Sequence, residues 1–336
     1  DRGKYKGLNI IPLITFMAFD GAGILTVYPK RAEKSARYMA LATSLIILGL
    51  ASYLWAVFDP SVGGMQFEEK YQWIANVNIY YHLGVDGISM PMVFLTALLT
   101  VLGVLVSWNI ENKPKAFFAL LLLLEVGMLG VFLSLDFILF YVFWELVLLP
   151  MYFLIGIWGS SNRLYAAIKF FIYTLVGSVL MLVVMLVMYF VSTPNTFNIL
   201  ALMKLVPGFD PTLGVWLFLL LFVAFAIKLP VFPFHTWLPD AHVEAPTAVS
   251  VILAGILLKM GGYGFFRFSY PMLPGPATSD FFVWFIALLG MINIVYGAFC
   301  ALAQKDFKKL VAYSSVSHMG YVLRGLAAVT YTGVSG

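Results

Sequence analysis

Apolar residues run through this chain in long blocks, each close to the length of a bilayer core, and most charges fall in the short stretches between them. A helical span needs about 20 apolar residues. Runs of that size predict roughly ten spans, near 8–28, 39–58, 89–110, 115–134, 136–158, 165–192, 213–236, 246–268, 280–300 and 308–332. The fold class this implies is an all-α polytopic membrane protein. One segment, Phe58 to Ile88, is too polar to span, with Glu68, Glu69 and Lys70, and its alternating stretch VNIYYHLGV predicts a short outer hairpin lying on the spans, with His82 at its surface. Asp86 before Gly87 is a turn signal and a helix cap for the third span. Asp136 reads as the cap of the fifth span, and Pro150 as a kink that loosens the backbone near Glu145.

The pattern fails once in the middle of an apolar run. From Ala224 the chain reads AFAIKLPVFPFHTWLPDAHVEAPTAVSVILAGILLKMGGYG, so an apolar helix reaches Lys228, meets Pro230 and Pro233, and becomes apolar again before Lys259. Proline removes an N–H and clashes with the turn before it, so the seventh span is predicted to be discontinuous. Carbonyls freed inside a membrane find partners only within protein or beside water. The stretch therefore predicts a hydrated polar cavity at membrane depth, with ammonium groups near it.

Composition narrows the chemistry. The 336 residues are 62% hydrophobic and 11% charged, and the single Cys300 excludes a disulfide framework and a cysteine-ligated iron–sulfur or zinc site within this chain. A net charge of +4 without a basic stripe on a polar background gives no sign of nucleic acid as a partner. The basic cluster Lys30, Arg31, Lys34 and Arg37 sets that loop on the cytoplasmic or equivalent side. Alternation then brings Lys113, Lys115, Arg163, Lys305, Lys308 and Lys309 to the same side, with Lys70, Lys204 and Arg267 near the opposite loops. Arg2, Lys4 and Lys6 run against the rule. The opening DRGKYKGLNIIPLITF lacks a small-residue cleavage site and reads as the first span.

Four ionisable residues sit deep in predicted spans. Glu125 and Glu145 lie about ten residues into theirs, roughly 15 Å down, Lys259 lies past the middle of its span, and Lys228 stands at the break. An ionised residue at the bilayer centre costs roughly 2.5–3.5 kcal/mol even on lenient scales, so these groups are expected to face one another, water or a binding site. Two readings follow. Glu145 and Lys228 form a static pair that fixes packing, or they belong to a proton path in which their separation governs the lysine's hold on its proton. Lys169 reads as snorkelling to the headgroups or as a further path residue. His235 and His242 flank Trp237 after the break and serve either as loop caps or as path residues. His318, following Ser314, Ser315 and Ser317, extends a water wire beyond Lys259 in the path reading. No histidine spacing matches a haem or metal site. Arg324 reads as snorkelling outward.

The stretches SLDFILFYVFWELVLLPMYFLIGIWG, KLPVFPFHTWLPDAHVEAPTAVSVILAGILLKMGGYG and AQKDFKKLVAYSSVSHMGYV resemble the antiporter-like membrane subunits of NADH:quinone oxidoreductase, respiratory complex I, and among them the subunit M or chain 4 type. The resemblance covers roughly Gly84 to Leu326. It implies that Glu145 and Lys228 are the coupling pair and Lys259 the central proton relay, with Glu125 and His318 as further path residues. It implies a fourteen-helix fold with a second broken helix, of which this sequence would be a truncated copy. The expected domain is a single membrane one: peripheral helices and outer loop over 1–110, a first bundle with the proton site over 111–268, and the start of a second repeat over 280–336. FMN, iron–sulfur clusters, NADH and quinone are expected in other subunits and no cofactor in this chain. Expected partners are adjacent membrane subunits, further antiporter-like ones among them, and lipids of a bacterial inner, mitochondrial inner or thylakoid membrane. The alternatives are a cation/proton antiporter subunit, a hydrogenase-type or ferredoxin-linked complex, a passive scaffold, and a quinone site near Trp237.

Overall fold

A computed structural model of the chain describes residues 10–27, 29 and 35–328. The predicted basic positions Arg2, Lys4, Lys6, Lys30, Arg31 and Lys34 lie outside the described residues. Within them, nine helices are long and apolar enough to cross a membrane. They fall close to nine of the predicted runs. The chain divides into two compact units, one of Asp1–Trp158 with Pro246–Ile252 and one of Gly159–Ala245 with Leu253–Gly336.

The first unit is built around α4 (Pro114–Leu133), which is buried along most of its length and packs on α1 (Ile10–Val27), α2 (Ala36–Val57), α3 (Ser89–Val106), α5 (Phe137–Leu146) and α6 (Leu148–Trp158). Between helices in lipid there is little hydrophobic driving force, so close packing over small residues carries the association. Gly127 and Gly130 of α4 supply it. A Cβ at Gly127 would lie 2.6 Å from Val147 Cγ2, and one at Gly130 would overlap the Phe143 ring. The predicted span over 136–158 is interrupted at Val147, between α5 and α6. Pro150 has no N–H to give to the Leu146 carbonyl, which explains an interruption just after Glu145.

The outer hairpin is present: β1 (Gln66–Ile74) pairs antiparallel with β2 (Ile79–Val85), turning through Asn78 in the left-handed region at φ 55°. It is stapled to the head of α5. Leu135 N–H donates to the His82 carbonyl at 2.8 Å, and the Asp136 carboxylate accepts from Tyr80 N–H at 3.1 Å while capping α5 through Ile138 and Leu139 N–H at 3.0 and 3.3 Å. Asp86 likewise caps α3, accepting from Ser89 N–H at 2.9 Å. His82, expected at the surface, is instead 1% exposed and lies 2.8 Å from Glu68. An alternating strand hides which of its faces meets protein, so the sequence alone does not place that imidazole.

Burial pushes the Asp136 carboxyl up to about 6, outweighing the three N–H groups that donate to it and the charge of Lys70. A carboxyl whose proton is held more tightly in the docked state costs stability as pH rises from its free range through that value. Protection of the Tyr80 amide, measured by hydrogen exchange and corrected for its intrinsic rate, is therefore expected to fall between pH 4 and pH 7. Asp136→Asn should flatten that dependence, and an unchanged slope in the variant would assign the titration to another group.

In the second unit α7 (Arg163–Val191) packs on α9 (Pro211–Lys228) and α10 (Trp237–Glu244). The short α8 (Ile199–Leu205) precedes α9. The span Thr247–Met272 is not a uniform α-helix. Its first part, α11 (Thr247–Ile252), packs on α3 within the first unit, and its remainder alternates wide π turns at Leu253–Leu257 and Phe265–Ser269 with α12 (Leu258–Gly264) and α13 (Tyr270–Met272). Arg267, expected near an opposite loop at the end of the predicted span 246–268, lies inside this span. It is 5% exposed and donates from Nε to the Tyr263 hydroxyl at 3.0 Å. After the turn α14 (Pro274–Ala277), α15 (Asp280–Leu302) and α16 (Phe307–Ala328) form an extensively packed pair. Gly290, Gly297 and Gly320 let their backbones approach, since a Cβ at Gly297 would stand 2.7 Å from Ser317 N and one at Gly320 2.7 Å from the Gly290 carbonyl. The predicted tenth span is thus a helix, less apolar than the nine because of its serines, His318 and Arg324.

Candidate functional site

The site is the gap between α9 and α10. Lys228 is the last residue of α9 and is 1% exposed, its Nζ 5.7 Å from the centre of the Phe170 ring. An aromatic face offers a desolvated ammonium some electrostatic compensation. Beyond it the helical ladder fails and its polar groups find other partners, as buried backbone must. The Ala226 carbonyl, which would have met the missing N–H of Pro230, accepts from Val231 N–H at 2.9 Å. The Ile227 carbonyl accepts from the Trp237 indole at 2.8 Å. Phe232 N–H donates to Asn293 Oδ1 at 2.7 Å, and Asn293 Nδ2 donates back to the Pro230 carbonyl at 3.2 Å. The break is therefore an assembled structure with side-chain partners drawn from α10 and α15.

Backbone closeness holds the end of α9 from the other side. A Cβ at Gly261 of α12 would sit 2.8 Å from Leu229 N and 3.0 Å from the Phe225 carbonyl, and one at Gly177 of α7 would sit 3.1 Å from the Ala224 carbonyl. Lys259, two residues before Gly261 and half-buried, donates from Nζ to the Ala254 carbonyl at 2.7 Å, across the wide turn of Leu253–Leu257.

The second half of the broken helix is tied down by charge. Lys169, expected to snorkel or to serve directly, is held by Asp240 at 2.7 Å. Asp240 was not singled out from sequence; the acidic position in HTWLPDAH three residues from Trp237 was the available signal. His235 is 3% exposed, with Nε2 3.3 Å from the Tyr296 hydroxyl and its ring stacked on Phe232. The charge of Lys169 also reaches it. His242 is buried in α10, within electrostatic reach of Lys308. Lys308 donates to the Val243 and Ala245 carbonyls at 3.3 and 3.0 Å, and Ser160 N–H to the Glu244 carbonyl at 2.9 Å, so the loops carrying Lys308 and Arg163 both bond to the end of α10.

In the first unit Glu125 is fully buried on α4 beside Thr100 of α3. Glu145, near the end of α5, is half-buried, and its Oε1 has no hydrogen-bond partner among the described residues. Both carboxyls flank the stretch where Gly127 and Gly130 bring α4 against α5. His318 lies on an exposed face of α16 with Tyr321 beside it, and Arg324 is exposed as well. Among the described residues no three His, Cys, Asp or Glu side chains converge as a metal-ligand set. Sequence reasoning also passed over Asn293, whose polar amide inside an otherwise apolar span was its only signal.

The model of the family described as NADH:quinone oxidoreductase/Mrp antiporter, transmembrane, matches residues 134–336. NADH-quinone oxidoreductase subunit M of Rhodobacter capsulatus is 47% identical over 98% of this chain and 66% of its own length. F(420)H(2) dehydrogenase subunit M of Methanosarcina mazei is 42% identical over 98% and 66%. A chain of respiratory complex I from Thermus thermophilus with bound NADH superposes with a TM-score of 0.85 at 30% identity, covering 96% of this chain and 66% of that one. The chain thus spans a little under two thirds of the length of these relatives. The matched region contains both the broken helix and the two lysines, and with them the chain belongs to the NADH:quinone oxidoreductase/Mrp antiporter family of integral, multi-pass membrane proteins.

Proposed function

We propose that this chain is a proton-translocating membrane subunit of an NADH:quinone oxidoreductase. Protons load from the side of the basic loops at Arg163, Lys305 and Lys308, reach Lys228 at the helix break, pass to Lys259 and leave on the opposite side. Glu145 acts on Lys228 as the switching charge. A carboxylate near an ammonium strengthens its hold on the proton, and withdrawing that charge from a desolvated lysine releases it. Glu125 and His318 serve as further path groups, and His235 and His242 line the loading side with Lys169.

The observation that carries this reading is a buried lysine at the end of a helix whose broken backbone is capped by side chains. A lysine kept only for packing needs no such interruption. The energy is supplied by electron transfer in partner subunits that hold FMN, iron–sulfur clusters and the NADH and quinone sites, and adjacent antiporter-like subunits and lipids flank the chain. Substituting Lys259→Met in the assembled complex, in sealed vesicles, is expected to lower proton translocation per electron at least tenfold, the lower end of what a positioned proton-transfer group contributes being about 10²-fold. Translocation at the native ratio would remove Lys259 from the path.

A further inference from the structure

We propose that Asn293 is a positioning residue for Lys228: a buried amide on α15 that clamps the unwound segment 229–236 and so fixes where α9 ends. Asn293 is 0% exposed in a span that is otherwise apolar. A buried amide is costly unless it is bonded, so its presence at that depth calls for partners. It has them on three sides. Oδ1 accepts from Phe232 N–H at 2.7 Å, and Nδ2 donates to the Pro230 carbonyl at 3.2 Å and to the Val316 carbonyl at 3.5 Å. The amide orientation is fixed by chemistry, because a backbone N–H can only donate and two carbonyls can only accept.

The partners identify the role. In an uninterrupted helix Phe232 N–H would donate to the Lys228 carbonyl; at the break it turns to Asn293 instead. The same side chain then engages the Pro230 carbonyl, on the other side of Val231. One amide thus holds both ends of the sharpest part of the break, next to the residue that ends α9. Its own base is rigid. Gly290 and Gly297, three residues before it and four after, are where α15 meets α16 backbone to backbone. Tyr296, one turn on, extends the template by placing its hydroxyl 3.3 Å from His235 Nε2 and its ring against Phe232. The clamp deepens the relay reading: its consequence for proton transfer rests on that reading, while its consequence for the backbone does not.

The test uses the purified assembled complex with Asn293→Leu, which removes all three bonds at similar volume, and Asn293→Asp, which keeps the acceptor for Phe232 N–H. Hydrogen exchange in peptides covering 229–236 is expected to quicken at least tenfold in the leucine variant and by less in the aspartate variant, whose carboxyl keeps the Phe232 bond but lacks the amide donor for the two carbonyls. Proton translocation in vesicles should then show a displaced pH profile in the leucine variant, a readout that a purely structural loss would not move. If the leucine variant fails to assemble, Asn293→Ala, which also removes all three bonds, takes its place with the same expectation. Exchange within twofold of the native complex, or equal exchange in the leucine and aspartate variants, would overturn the clamp. A native pH profile alongside quickened exchange would overturn the positioning of Lys228. Lys228→Met is measured in parallel: native translocation there defeats the relay reading and leaves the exchange result to judge the clamp alone.

Discussion

Lys228→Met in the assembled complex is expected to reduce proton translocation by about two orders of magnitude or more, the scale on which a positioned proton-transfer group acts. Methionine is close to lysine in length and flexibility and lacks the ammonium, so the packing against Phe170 and the course of α9 are retained. The backbone partners of the break, Trp237, Val231 and Asn293, do not involve the lysine side chain and stay in place. What is lost is the one titratable group at the end of α9. The measurement is translocation per electron in sealed vesicles, with assembly checked by native electrophoresis. Wild-type translocation from a fully assembled variant would leave the break without the role assigned to it.

Gly261→Ala is expected to destabilise the second unit at the helix break. The added methyl would stand 2.8 Å from Leu229 N and 3.0 Å from the Phe225 carbonyl, both backbone atoms that cannot swing aside. Overpacking of this kind costs roughly 1–3 kcal/mol or more, which lowers a thermal midpoint by several degrees. The clash falls on the residue after Lys228, so α9 and α12 must part where the proposed relay crosses between them. Gly49→Ala, in α2 with nothing within 4 Å of the added carbon, provides the control and should be neutral or slightly stabilising. Equal thermal stability for the two variants would show that α12 does not press on the break.

Much of this was legible in the chain because membrane helices announce themselves by length. The runs ending near Val27, Val57, Leu133 and Trp158 were readable to within a few residues, since nothing else holds so many apolar groups together. Pro230 and Pro233 likewise fixed the place of the break, because a missing N–H is a local fact. The partners were not local. Asn293 lies 61 residues from Phe232, and Asp240 lies 71 from Lys169. No periodicity encodes which polar group in a later span will meet an orphaned amide. His82 was misread for a related reason: a polar residue in a polar stretch looks exposed until its cover, Glu68, is known. The wide turns around Lys259 left no sequence mark comparable to a proline. They appear as a carbonyl, that of Ala254, within reach of the ammonium five residues on.

The claim on which the account rests is that Lys228 must give up its proton, and proton translocation by a Lys228→Arg complex tests it most directly. Arginine keeps the positive charge and the length but holds its proton at any pH a protein survives. The account predicts an assembled complex in which translocation falls about as far as with methionine. Translocation near the native ratio with arginine in place would mean that the charge serves packing alone, and would contradict it.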